Sequence, residues 1–178
     1  MSDLLQQAQA ALAIRDVYLI ASKASLAENF DPKYGLPAAE RSALLMQWQS
    51  AVSKLEIIQL SVAEDDAAPR LLRIYVDLAI RLADPKIQTL VEPKPVQLKK
   101  LIKAEITATF VGEYQMTGEL PEDAIQVFAN RNATFHVWPF WREYLLNTSS
   151  RMNLPRIMAP LRPPLTASTP PEGVALPA

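Results

Sequence analysis

The chain has 178 residues, 49% of them hydrophobic and 21% charged, with a net charge of −1 and no cysteine. That length supports one domain with a real core; the near-neutral balance argues against nucleic acid or an anionic membrane surface as partner, and the missing cysteines exclude disulfides, thiolate metal sites and a Cys nucleophile. No apolar run approaches the roughly 18 residues a membrane helix needs and no signal peptide is visible, so a cytoplasmic location is expected.

Residues 2–14 read as a weakly amphipathic helix whose shared face, Leu4, Leu5, Ala8, Ala11 and Leu12, is rich in Ala. An N-terminal arm over 1–15, loosely docked, is expected. A strand follows over Asp16–Ala27, with Val17, Leu19 and Ala21 on one side. Pro32, Gly35 and Pro37 make the next stretch a loop, and a short helical turn is expected near 38–42. From about Leu44 alternation favours a long strand to Val62, with a bulge suggested by the adjacent Ile57 and Ile58. Glu64–Pro69 reads as a turn. The cleanest strand is next: Leu72, Ile74, Val76, Leu78, Ile80 and Leu82 alternate with Arg73, Tyr75, Asp77, Ala79 and Arg81.

Asp84–Pro95, with three prolines, reads as a loop. The last strand is expected over Lys99–Thr117, with Ile102, Ala104, Ile106, Ala108 and Phe110 facing one way and a bend or bulge between Gly112 and Gly118. Pro121–Asn130 suggests a short helix with Ile125, Val127 and Phe128 inward. Asn132 is then a plausible N-cap for a longer helix. In that helix Trp138, Trp141, Leu145, Thr148 and Met152 form one row, and Val137, Phe140 and Tyr144 lie beside them. Together the rows cover about half the surface, wider than the ~100° stripe one core requires. Two apolar partners are therefore expected: the domain's own body, and a second subunit or a ligand. Pro139 predicts a kink or break near Trp138. NLPRIMAP, after Met152, reads as an extended strap over the helix end, and the Pro-rich residues 162–178 as a disordered tail.

Strands with one apolar and one mixed face imply an α+β fold: an antiparallel sheet with helices on a single side. Catalytic signatures are scarce. There is no Gly-rich phosphate loop, no nucleophile elbow and no set of metal ligands. His136 is the sole histidine, and on an apolar helix it is far more often a hydrogen-bonded core or interface residue than a base. Glu64, Asp65 and Asp66 read as a solvated loop. Arg142 and Glu143 are adjacent and so do not pair along the helix. No catalytic residue, metal or cofactor is expected. The aromatic cluster is weighed evenly between plain core and an interface or binding surface.

Trp138–Pro160, WPFWREYLLNTSSRMNLPRIMAP, resembles the SecB family of protein-export chaperones. The match lies in an aromatic-Pro-aromatic step, Arg-Glu, an apolar helix and a Pro-x-apolar-x-Ala-Pro strap, here Pro139, Phe140, Arg142, Glu143, Pro155, Ile157, Ala159 and Pro160. GEYQMTG at Gly112–Gly118 is similar to the family's Gly-x-aromatic-x-apolar-x-Gly. VYLIASKASL is similar to its first strand, and Trp48 falls where the family has a Trp entering its second. The resemblance spans about 16–161.

It implies a four-stranded antiparallel sheet with a long helix on one side, in subunits that pair and stack through their helices into a tetramer. It implies a holdase, not an enzyme: unfolded or newly made proteins are held in apolar grooves, competent for export, and passed to SecA. On that basis Ile106, Ala108, Phe110, Trp138 and Phe140 are expected to bind client, and Val137, Trp141, Tyr144 and Leu145 to contact another subunit of a dimer or tetramer. The family's final helix has no counterpart here. The acidic residues with which it docks SecA align with Lys23 or Ser22 and with Thr107, so weak SecA binding or none is expected. Two alternatives stand beside the general holdase. One is a SecB-like chaperone dedicated to a single client such as an antitoxin; the other, from a different class, is a small-ligand or enzymatic domain, for which the sequence offers few convergent polar groups.

Overall fold

A computed structural model of the chain describes residues 2–60, 69–91 and 94–161. The expected turn at 64–69 falls almost wholly outside these residues, and the Pro-rich tail lies entirely outside them. Four strands, β1 (Leu12–Leu26), β2 (Leu45–Gln59), β3 (Arg70–Ala83) and β4 (Ile102–Met116), form one antiparallel sheet in the order β1-β4-β3-β2. The helices are α1 (Ser2–Ala11), α2 (Ala38–Ser42), α3 (Pro95–Leu101), α4 (Glu122–Phe128) and α5 (Thr134–Arg151), with a 3-10 turn at Pro85–Thr89. The expected α+β class with a long helix over one face is what the chain adopts.

The sheet's covered face is the core. On β3, Leu72, Ile74, Val76, Leu78, Ile80 and Leu82 are at most 1% exposed. Fully burying such a side chain contributes about 1.5–3 kcal/mol, so this one row anchors the domain. β4 adds Ala104, Ile106, Ala108, Phe110, Tyr114 and Met116 on the same side. Tyr114 folds over Gly112, where a Cβ would sit 2.9 Å from the tyrosine oxygen; a glycine is needed for the ring to lie down.

Several expectations need correction. β1 begins at Leu12, directly after α1, rather than at Asp16. The strand bulges lie in β1, near Arg15 and Ile20, near Ser53 in β2 and at Lys103 near the start of β4; β4 runs unbroken through Gly112, and Ile57 and Ile58 stay in register. The slip at Ser53 places Val52 and Leu55, three residues apart, on the same buried face. The bulge at Ile20 separates two residues expected to share a side: Leu19 pairs with Phe110 on the covered face and Ala21 with Thr109 on the open one. Pro95–Leu101, expected partly as loop and partly as strand, is helix α3 with Pro at its first position, where no N–H is needed.

Asn132 caps nothing. It lies in a π-helical turn, Ala129–Ala133, that joins α4 to α5 without interruption. The helix also continues through Pro139 rather than breaking. Its irregular turn, Ala129–Ala133, stands about two turns earlier than expected.

Candidate functional site

The strap is where the sequence reading and the structure agree most closely. α5 ends in a Schellman cap: Leu154 N–H donates to Ser149 C=O at 3.0 Å and Asn153 N–H to Ser150 C=O at 3.2 Å. Asn153 takes the left-handed conformation this motif needs, with φ of 53°, which asparagine tolerates better than most residues. The chain then runs back along α5. Leu154, Ile157 and Ala159 are buried, Trp138 Nε1 donates to Pro160 C=O at 2.8 Å, and Arg142 Nε donates to Ala159 C=O at 3.2 Å. Trp138 and Arg142 are four apart, one turn of helix, so a single helical face grips the strap.

Beneath the helix, the residues expected to bind client are mostly interior. Ile106, Ala108, Phe110 and Trp138 are 1–4% exposed. Phe110 meets Tyr144 edge-on at 6.3 Å, Trp141 stacks on Tyr144 at 5.9 Å, and Trp48 approaches Trp138 at 6.2 Å. Among the expected subunit contacts, Val137, Trp141 and Leu145 are fully buried against their own sheet and Tyr144 is partly so. Of the nine residues, Phe140 alone is well exposed.

What α5 presents outward is Phe135, Phe140 and Leu146 beside Pro139. Phe135 and Leu146 were missed, although Phe135, Pro139 and Leu146 recur at helical spacing. The heavier tryptophan rows masked them. A second apolar surface lies along the edge strand β1. Its covered-face residues Ile14, Leu19 and Leu26 pair with Tyr114, Phe110 and Ala104 of β4, yet are exposed, as is Ile20 in its bulge. Edge strands of this length also present unpaired backbone groups.

The open face of the sheet is polar and internally neutralised. Arg73 Nε reaches Glu113 at 2.9 Å and Arg81 Nε reaches Glu105 at 2.6 Å. Glu56 accepts from Tyr75 OH at 2.7 Å and from Lys54 at 3.1 Å, contacts that hold its carboxyl below the usual range, Tyr75 first. Thr109 donates to Asp77 at 2.6 Å. Lys23 and Thr107 face each other across β1 and β4 on this side.

His136 is a hydrogen-bonded residue. Its Nδ1 lies 3.0 Å from Tyr114 OH, the rings of Tyr114, Phe128 and Phe135 surround it, and burial pushes its pKa down. Burial pushes the Tyr114 pKa far up, so the phenol stays protonated, and the imidazole tautomer sets which of the two groups donates. No group of three or more possible metal ligands occurs among the described residues, and no described helix is long and apolar enough to cross a membrane.

No protein-family model matches the sequence, and no curated protein does. Among solved structures, the fold is similar to that of a Mycobacterium tuberculosis SecB-like chaperone determined in complex with a ChAD peptide from an antitoxin, with a TM-score of 0.62 and 16% sequence identity, over 89% of this chain and 95% of that one. The likeness in three dimensions thus covers nearly the whole chain, and the fold is SecB-like.

Proposed function

We propose that this chain is a SecB-like chaperone that binds non-native polypeptide, and that it serves a dedicated client. The observation that carries the reading is a SecB-like subunit that leaves apolar side chains uncovered on two elements: on the outward side of α5 (Phe135, Phe140, Leu146) and along the β1 edge (Ile14, Leu19, Leu26). Exposed apolar side chains grouped on one element are what a protein partner covers. The solved neighbour is a SecB-like chaperone holding an antitoxin peptide, which favours the dedicated-client reading over a general holdase. A second copy of the chain is proposed for one of the two surfaces and client for the other, with Phe140 the side chain of the original set best placed to take part.

The test is suppression of aggregation, measured for a chemically denatured model protein and for the products of the adjacent genes. Selective protection of one neighbouring product supports the dedicated reading. Equal protection of all substrates favours the general holdase, and protection of none rules out both.

SecA is proposed to bind weakly or not at all. Docking on a basic segment needs free carboxylates; on the open face Glu56, Glu105 and Glu113 are each engaged by a cation, and Asp77 accepts from Thr109 and lines one pocket with Lys23, which adds positive charge. Titration at low salt is expected to give no saturable binding; a micromolar, salt-sensitive affinity would overturn this.

A further inference from the structure

At the end of the sheet where β1 finishes, a cleft of about 590 Å³ opens between the β1 terminus and helix α3. Its apolar lining includes Leu26 and Ile102, and Val96 of α3 stands 67% exposed at its side. Lys99, Lys100 and Lys103 line the same cleft. None of the three has an ion pair among the described residues, whereas Lys54, Arg70, Arg73 and Arg81 elsewhere all do. Two carboxylates share the lining, Glu28 and Glu105, and Glu105 is already held by Arg81. Three unpaired ammonium groups therefore face one unpaired carboxylate, in a chain whose net charge is −1. Positive charge is concentrated here against the average of the molecule.

Lysines alone are compatible with a solvated surface. Their placement in a concavity together with exposed Val96 and Leu26 is a different arrangement, because it sets unpaired cations and open aliphatic side chains around one shared space. The combination is complementary to a ligand with carboxylates and aliphatic groups interleaved. A polypeptide fits better than a single anion, since the positive charge is spread over two elements, Lys99 and Lys100 of α3 and Lys103 of β4, with aliphatic side chains in the same lining. We infer that this cleft docks an acidic, aliphatic-bearing stretch of polypeptide. The inference rests on the chaperone reading and deepens it by naming a charge-selected contact that adjoins the uncharged β1 surface at Leu26 and is distinct from that of α5. It would let the protein choose a client or acceptor by an acidic segment while the apolar surfaces hold whatever is unfolded.

The experiment uses the full chain and a short fluorescein-labelled peptide in which Leu alternates with Asp. Fluorescence anisotropy should give saturable binding that weakens with salt, by roughly tenfold or more on Lys99→Glu with Lys100→Glu, and that is lost when Ser replaces Asp in the peptide. Val96→Ser should weaken it less. Lys99 and Lys100 are exposed, and circular dichroism checks that the charge reversal leaves the fold intact; if it does not, the milder pair Lys99→Gln and Lys100→Gln carries the same expectation with a smaller loss. Equal affinity for the Ser peptide, or affinity unchanged in the lysine variants, overturns the inference. So does co-sedimentation with phosphatidylglycerol vesicles without peptide binding, which would assign the cleft to a lipid surface. Aggregation suppression of an uncharged client, run in parallel, separates the two readings. The lysine variants should keep it, and its absence in the parent protein counts against the chaperone function while leaving the peptide result to stand or fall alone.

Discussion

β1 and β3 flank the same central strand and are nearly equal in length, 15 and 14 residues. Their apolar content is similar, yet β3 buries its whole covered face while β1 buries only Leu12 and Val17. The difference lies in where they stand in the sheet. β3 sits between β4 and β2; β1 is an edge with a strand on one side only, and although α5 packs against part of it, its covered-side residues Ile14 and Leu19 stay exposed. Equal hydrophobicity thus has two outcomes. In β3 it is buried and stabilises the subunit, and in β1 much of it stays at the surface, where the proposed partner would cover it.

The largest expected effect comes from disturbing the buried side. Phe110, 4% exposed and edge-on to Tyr144, has no route to solvent for a charged replacement. Phe110→Glu removes a core aromatic, at about 3–5 kcal/mol, and buries a carboxylate as well. That approaches the whole stability of a typical domain, so loss of the circular dichroism signal and of cooperative melting is expected. A folded Phe110→Glu protein with lost client binding would instead revive the groove expected from sequence.

A smaller effect is expected at the strap. Trp138→Phe deletes the 2.8 Å donor to Pro160 C=O and leaves a gap beside Trp48. A net hydrogen bond of this kind is worth about 1 kcal/mol, and the lost ring adds to it. Denaturant unfolding should show a drop of about 1–2 kcal/mol with the fold retained, together with faster proteolysis after Arg156, which the strap exposes.

On β1 the comparison predicts the reverse behaviour. Ile14→Lys with Leu19→Lys changes exposed side chains, so subunit stability should move by no more than about 0.5 kcal/mol per site. Assembly or client binding should fall, seen as a lower mass in light scattering or as lost aggregation suppression. If the double variant melts early while assembly is unchanged, β1 serves the subunit after all.

How far the sequence could show this division depended on the element. β3 was legible because both its faces obey a period of two over its whole length. β1 was misread because a bulge at Ile20 exchanges faces midway, and a single extra residue is invisible to a pattern. Helix α3 was hidden by the alternation of β4, which runs smoothly backward into Lys99 although the backbone has already turned helical. The candidate site was legible only as a class. The two rows of α5 announced excess apolar surface, but periodicity cannot say which row meets the sheet; in the fold the tryptophans lie inside, Trp138 tied to the strap, and Phe135, Phe140 and Leu146 outside.

The smallest expected effect lies where α4, α5 and β4 meet, between the buried and exposed regimes. His136 Nδ1 is hydrogen-bonded with Tyr114 OH, and burial disfavours its charged form. Its folded pKa is therefore below the ordinary 6.5. As pH falls through 6.5 the unfolded chain takes up the proton first, so unfolding is favoured; the loss continues until the pH passes the folded pKa and both states are protonated. Stability contributed by this histidine is thus complete above pH 6.5 and declines below it. His136 is the sole histidine in the chain, and carboxylates such as Asp31 and Glu56 are held below their usual values, so the fall just below pH 6.5 isolates one group. His136→Gln, which keeps an acceptor for Tyr114 but does not titrate, should flatten the stability profile in that window. The single imidazole resonance, followed by NMR, should titrate below 6.5. A midpoint above 6.5 would mean that a carboxylate from a second copy or a client reaches His136, and would move this histidine from the subunit's core to its interface.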